Sequence, residues 1–281
     1  MQVREPCARH FYAGDCAQAT ERFLGGFSVP AEPFRIVAGV VPHAGWQYSG
    51  AVAAKVFKSI QGKKNPATFV IFGAVHRWGT DNAVYGCGAW GTPLGPVAID
   101  EALASRILEQ TPEGLSDEAH AHAGEHAIEV QLPFIRHLFP EAKIVPISVN
   151  PDSRAVPLGK QIGEIVRDYS REVVVIGSTD LTHYGDAYSY APAGYGPSAH
   201  QWMRENDAQM LRLAEQMRAS EILEEASRHH NACGAGALAA TVEAARAMSA
   251  ERGYLLEYTT SYDVRAEGEF RMAVGYAGLL F

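Results

Sequence analysis

The sequence lacks the features that would suit it to nucleic acid or to a membrane. It has 24 Lys and Arg against 32 Asp and Glu, a formal charge of −8, which argues against a nucleic acid or an anionic membrane surface as the main partner. No apolar run approaches the roughly 20 residues of a spanning helix. The first residues also lack the apolar core of a signal peptide. We therefore expect a cytoplasmic protein with neither a nucleic-acid nor a membrane partner.

Cysteine is also scarce. The four cysteines are Cys7, Cys16, Cys87 and Cys233, and no two form a CxxC pair. Their wide spacing argues against a disulfide framework or a zinc ribbon, and we expect the first three to be structural. Cys233 lies where an apolar predicted helix begins, a position that favours a thiolate. It is either a metal-binding or nucleophilic thiol, or part of a tightly packed helix end of small residues.

What the sequence does contain is a set of apolar runs, each followed by a histidine. The three pairs are residues 35–41 with His43, residues 68–72 with His76, and residues 172–176 with His183. Continuous runs rich in Val, Ile and Phe predict buried parallel strands. Ligands of open α/β sheets bind beyond the carboxyl ends of such strands. The pattern therefore predicts one metal or acid–base site at that edge of the sheet.

Helical and strand patterns alternate along the rest of the chain. We predict helices over residues 17–24, 49–60, 101–110, 126–139, 156–169, 199–219 and 231–248, and further strands over 97–99, 143–149, 254–262 and 271–280. Ser49 and Asp100 are the expected N-caps, and Pro133 should bend its helix or restrict it. The alternation predicts one α/β domain over residues 1–281, a three-layer α/β/α arrangement with a mostly parallel sheet. Residues 1–30 would be an arm and a short helix packed on it.

Several polar side chains near the strand ends are candidates for chemistry. Neutral imidazole is a good ligand for iron, copper or zinc, so His43 and His76 are candidate ligands. His183 is suited to proton transfer if no metal occupies it. Asp180, three residues earlier, would orient that imidazole, bind substrate or cap a turn.

Two further groups of polar residues lie outside these strand ends. Glu125 and His126 open a predicted helix, and Glu129 is expected on the same side, although a carboxylate favoured by the helix dipole also explains Glu125. We expect His120 and His122 to lie in a solvated loop. His229 and His230 are interpreted as the polar end of a helix, although His230 is close enough to Cys233 in sequence to be tested as a ligand.

Five segments in this order resemble the Memo family, whose bacterial and archaeal members are called AmmeMemoRadiSam system protein B. They are Val41-Pro42-His43-Ala44-Gly45, Gly73-Ala74-Val75-His76, Glu125-His126-Ala127-Ile128-Glu129-Val130-Gln131-Leu132-Pro133, Ser178-Thr179-Asp180-Leu181-Thr182-His183 and Cys233-Gly234. The resemblance covers nearly the whole chain. It implies a three-layer fold similar to that of the class III extradiol ring-cleaving dioxygenases.

The resemblance also implies roles for individual residues. His43, His76 and Cys233 would hold one metal ion, His183 would take the acid–base position with Asp180 beside it, and Glu125 and His126 would line the same cavity. This list of seven residues is the expected site. The resemblance places a cysteine thiolate where the dioxygenases have a carboxylate ligand. A thiolate is the softer donor for a metal ion.

The resulting functional expectation is a non-haem metal-dependent redox enzyme with an unidentified small-molecule substrate. Iron(II) is the expected metal, with copper or zinc as alternatives. The family's name suggests a functional link to a radical-SAM protein. Two other functions stay open: a non-catalytic metal-binding or peptide-binding module, and a metal-dependent hydrolase with His183 as base.

Overall fold

Four parallel strands form the centre of a large sheet in the computed structural model, which describes residues 2–32, 35–77, 80–111 and 113–281. The strands are β1 (Val3–Arg4), β2 (Ala38–Val41), β3 (Thr68–Gly73), β4 (Ala83–Val84), β5 (Ala89–Trp90), β6 (Val97–Ala98), β7 (Ser116–Asp117), β8 (Lys143–Ser148), β9 (Val173–Ser178), β10 (His183–Tyr184), β11 (Tyr254–Thr260) and β12 (Ala273–Leu280). The helices are α1 (Cys16–Phe23), α2 (Trp46–Gln61), α3 (Glu101–Gln110), α4 (Leu132–Leu138), α5 (Ala155–Arg167), α6 (Pro197–Glu215), α7 (Ala219–His229), α8 (Ala235–Ala247) and α9 (Ser261–Val264).

The central strands are adjacent in the order β2, β9, β3, β8, and each of these pairs is parallel. Antiparallel β12 flanks β2, and short β4 flanks β8. Every residue of β2, β3 and β9 is buried, which is why their sequences are continuously apolar rather than alternating. The predicted α/β class with a mostly parallel central sheet is therefore confirmed.

Helices cover both faces of this sheet. A Cβ atom on Gly39 of β2 would lie 3.0 Å from Val56 of α2, whereas one on Gly177 of β9 would lie 2.3 Å from Thr241 of α8. Gly177 is in register with Val40, the neighbour of Gly39, and successive residues of a strand point to opposite faces. The helices α2 and α8 thus pack on opposite faces, giving the three layers that the sequence predicts.

Most predicted elements are present, but several boundaries are wrong. The helix predicted from Ser49 begins at Trp46, because the Ser49 amide already donates to the Gly45 carbonyl. The predicted helix over 126–139 is a 3-10 turn, Glu129–Gln131, followed by α4. Pro133 lies in the first turn of α4, where its missing N–H costs no hydrogen bond, so it does not bend a helix.

The C-terminal helices also differ from their predicted bounds. The helix predicted over 199–219 ends at Glu215, and Met217 turns the chain with a φ of 59° into α7, which was not predicted. The helix predicted from residue 231 begins at Ala235. Within the described ranges, no helix is both long and apolar enough to cross a membrane.

Candidate metal centre

His43 follows β2 and is buried, with one ring nitrogen already engaged. The Ser178 hydroxyl at the end of β9 donates to the Ala127 carbonyl over 2.7 Å, so its oxygen is left to accept from the His43 Nδ1–H at 3.0 Å. The side-chain amide of Gln131 also approaches the Ser178 hydroxyl oxygen, with Nε2 at 3.3 Å. This arrangement leaves the lone pair of His43 Nε2 free, and Nε2 lies 3.2 Å from Cys233 Sγ.

His76 follows β3 and is oriented by Glu125. The Glu125 carboxylate accepts from the His76 backbone N–H at 2.9 Å and from Nδ1–H at 3.0 Å. It also accepts from the amides of His126 and Ala127. Burial alone would raise the pKa of Glu125, but these hydrogen bonds and the His76 ring lower it to about 2. A buried carboxylate holding Nδ1–H leaves Nε2 of His76 as the ligand nitrogen, an arrangement common around protein metals.

Cys233 reaches the two histidines from the loop before α8. Its amide donates to the Asp180 carbonyl at 3.2 Å, and the Asp180 amide approaches Sγ at 3.3 Å. A Cβ atom on Gly234 would lie 2.6 Å from the Ser178 carbonyl, so only glycine permits this close approach to the end of β9.

Burial raises the pKa of Cys233. The helix start therefore does not favour the thiolate as the sequence had suggested, because desolvation outweighs the effect of the helix. A bound cation would reverse this, since a coordinating thiol loses its proton.

Three donor atoms from these residues converge. The ligand atoms of His43, His76 and Cys233 lie within 4.8 Å of one another. His76, Glu125 and His126 form a second such group, but every Glu125 oxygen already accepts hydrogen bonds. The geometry and the available lone pairs therefore favour the first group, and Glu125 is better described as the residue that positions His76.

Asp180 and His183 lie beside this group. Asp180 accepts from the His43 backbone N–H at 2.7 Å, and burial raises the pKa of its carboxyl to about 7. His183 Nε2 lies 4.0 Å from Asp180 Oδ2 and is buried without a hydrogen-bond partner. Burial and the nearby His76 lower the pKa of His183 to about 4, so its imidazole is neutral at pH 7.

These residues border a cavity of about 600 Å³, which we call the main cavity. Five of the seven expected site residues line it: His43, His76, His126, Asp180 and His183. The ring of His126 stacks on His76 at a centroid distance of 4.8 Å, and Phe11 of the N-terminal arm covers the other side at 4.6 Å. Tyr48, Tyr188 and Tyr276 add aromatic walls, and charged residues from 265 to 271 surround the mouth.

Other polar residues lie elsewhere. Glu129 does not face the main cavity with Glu125: it is fully buried and forms an ion pair with Arg4 of the arm at 2.7 Å. His122, expected in a solvated loop, is buried with Nε2 donating to the Ala83 carbonyl. His230 caps the end of α7, as the sequence indicates. All four cysteines are free. Cys16 is buried, whereas Cys7 and Cys87 are exposed, although the Cys7 thiol lies 3.1 Å from Glu129 Oε2.

Sequence reasoning missed the residues that fix the two imidazoles. Ser178 and Gln131 belong to the segments that carry the family resemblance, yet nothing in their spacing shows that they meet His43. The contacts span 135 residues for His43 with Ser178 and 47 for Gln131 with Ser178. The only feature of the sequence that could have indicated this contact is the Ser178 hydroxyl at the end of a buried strand.

Two histidines and a cysteine that meet at the carboxyl ends of parallel strands define a candidate mononuclear metal protein of the α/β class. The chain matches the family model described as "Memo-like protein" over residues 6–280. It is 37% identical to a "MEMO1 family protein" of Thermococcus onnurineus, with 99% of each chain covered. It is 36% identical to a MEMO1 family protein of Pyrococcus furiosus, covering 100% of this chain and 99% of that one. The chain belongs to the Memo family, as its motifs predict.

A solved structure of an uncharacterized protein from Escherichia coli K12 is similar to this chain in fold. The TM-score is 0.52, with 87% of this chain and 99% of that chain covered. The sequence identity is 12%, so the likeness shows the fold alone.

Substituting Glu125 tests whether the carboxylate positions His76. In Glu125→Gln, only one side-chain oxygen is left to accept, so the NH2 group would oppose one of the two His76 N–H donors and the negative charge beside the ring is lost. We therefore expect metal affinity to fall by about 10–100-fold. The measurement is competition titration against a chelator, with thermal unfolding as a check on the fold. Exposed Glu118→Gln is the matched control and should bind metal as the wild type does. Equal affinity of the Glu125 variant and the wild type would contradict the positioning role.

Proposed function

We propose that the chain binds one metal ion through His43 Nε2, His76 Nε2 and Cys233 Sγ, and that it is a non-haem redox enzyme of the dioxygenase-like class. The observation that supports this most is the approach of these three donor atoms to within 4.8 Å beside the main cavity. Each imidazole has its Nδ1 committed to a neighbour, which pre-orients Nε2 toward the common point.

Iron(II) is the metal we propose, with copper and zinc as the alternatives that two imidazoles and a thiolate also suit. Three protein ligands leave coordination positions for small molecules, and a redox-active metal there would supply electron exchange with a bound substrate. The donor set fits such an ion, because it combines two neutral nitrogens with one thiol that can lose its proton.

The residues around this point would handle protons and hold the substrate. The His183 Nε2 atom is unpaired and neutral at pH 7, so it is ready to accept a proton from a substrate hydroxyl in the main cavity. Asp180 lies 4.0 Å away and would stabilise the resulting imidazolium. His126 and Phe11 form one aromatic wall of the main cavity, against which a flat substrate would pack.

Metal analysis of protein purified without added metal tests the first part of this proposal. We expect close to one equivalent of bound metal per chain. The redox part is tested with iron-loaded protein and a panel of catechols while oxygen uptake is followed, with His183→Gln as the comparison. Turnover that needs oxygen and falls in the variant supports the redox enzyme.

Two other results would replace the redox assignment. Zinc-dependent turnover under strict anaerobiosis would indicate a hydrolase. Stoichiometric metal without turnover across the panel would indicate a non-catalytic module. Absence of bound metal under all loading conditions would overturn the metal site itself.

A further inference from the structure

The Cys233 thiol borders a different cavity from the one that the imidazoles face. Among the described residues, those bordering the main cavity include His43 and His76 but not Cys233. Cys233 instead borders a second cavity of about 440 Å³, together with Ala226 of α7 and Ala232 of the following loop. The three proposed ligands are thus approached from two sides.

His183 and Tyr188 separate the two cavities, since both residues border both spaces. Their rings lie 4.9 Å apart at an interplanar angle of 54°. His183, whose Nε2 has no hydrogen-bond partner, is therefore part of the wall that the two cavities share.

The walls of the two cavities differ in charge. Arg265, Glu267, Glu269 and Arg271 surround the mouth of the main cavity. By contrast, in the part of the chain that the structure describes, no Lys, Arg, Asp or Glu borders the second cavity. A charged or strongly polar molecule is thus better suited to the main cavity, and a small uncharged molecule to the second.

We propose that the second cavity is a separate entrance through which a small uncharged molecule, of the size of water, dioxygen or a simple amide, reaches Cys233 Sγ. What this second entrance would do in a reaction rests on the proposed function. In that reaction, a larger substrate would enter by the main cavity and a small co-reactant by the second cavity. The route to the thiol itself is a property of the chain and does not depend on bound metal.

Alkylation of Cys233 by iodoacetamide tests this route. Chelator-treated full-length protein is labelled at fixed pH, and the rate at each cysteine is read by peptide mass spectrometry, with exposed Cys87 as the internal reference. Ala226→Leu and, from the loop, Ala232→Val fill the second cavity. Met272→Trp narrows the mouth of the main cavity, where Met272 is 53% exposed. Thermal unfolding identifies any variant that is not folded.

We expect either alanine substitution to slow labelling of Cys233 by about tenfold or more, because the reagent must then wait for local opening. Labelling of Cys87 should not change, and Met272→Trp should leave Cys233 at the wild-type rate. Unchanged labelling in folded alanine variants would overturn the proposal, as would equal slowing by Met272→Trp. Metal content is measured separately, so a failure of metal binding would overturn the proposed function without affecting this result.

Discussion

Replacing Cys233 with alanine is expected to remove almost all metal from the purified protein. The binding free energy of a structural metal site with several protein ligands is on the order of 10 kcal/mol, so loss of one ligand in three should cost about 3 kcal/mol, more than a hundredfold in affinity. The substitution removes the sulfur and its contact with the Asp180 amide, but the Cys233 backbone N–H still donates to the Asp180 carbonyl. Elemental analysis after dialysis against a weak chelator measures the loss.

Two other variants make this result specific. Cys87→Ala removes an exposed thiol and should leave the metal content unchanged. Cys233→Ser keeps a donor of similar shape but replaces soft sulfur with hard oxygen, so we expect an intermediate loss. Wild-type metal content in Cys233→Ala would rule out the ligand assignment.

Replacing Glu129 with alanine should destabilise the fold by about 3–5 kcal/mol, because a buried charge then loses its partner. The Glu129 carboxylate accepts from Arg4 Nη1 at 2.7 Å, from the amides of Cys7 and Ala8, and from the Tyr12 hydroxyl. Without it, the Arg4 guanidinium keeps its hydrogen bonds to the His122 and Glu125 carbonyls but loses its carboxylate partner. The two backbone amides and the Tyr12 hydroxyl lose the same acceptor. Urea unfolding followed by circular dichroism gives the change in the free energy of unfolding.

Glu5→Ala on the same arm is the matched control. Glu5 faces Arg9 at 3.7 Å, but both side chains are more than 70% exposed. An exposed pair of this kind contributes less than about 1 kcal/mol, so this variant should be nearly as stable as the wild type. Equal effects of the two substitutions would contradict the arm's role in stability.

The features that the sequence predicts are those with local signatures. The strands before His43, His76 and His183 are visible because buried parallel strands are continuously apolar. The capping of α3 by Asp100 is likewise local, since its side chain accepts from Leu103 three residues later. Helix α7 was not predicted. Its start depends on a left-handed backbone conformation at Met217, and a methionine does not predict that conformation as a glycine would.

The details of the candidate site depend on distant contacts, which the sequence pattern does not encode. Glu129 lies four residues after Glu125, yet the two carboxylates face different partners because no regular helix connects them. Cys233 illustrates a second limit. Its position before a helix predicts a lowered thiol pKa, but burial between β9 and α8 is the stronger effect and has the opposite sign.

The wide separation of the proposed ligands along the chain has a consequence for biosynthesis. His43 and Cys233 lie 190 residues apart, and the strand that carries His43 pairs with β9 and with β12, both synthesised much later. A nascent chain that has not passed residue 233 therefore lacks the thiol, and one that has not passed residue 178 also lacks the Ser178 hydroxyl that orients His43. A metal held by the three proposed ligands would therefore be loaded only after translation has passed residue 233, so the supply of metal and the supply of new polypeptide would be separate steps.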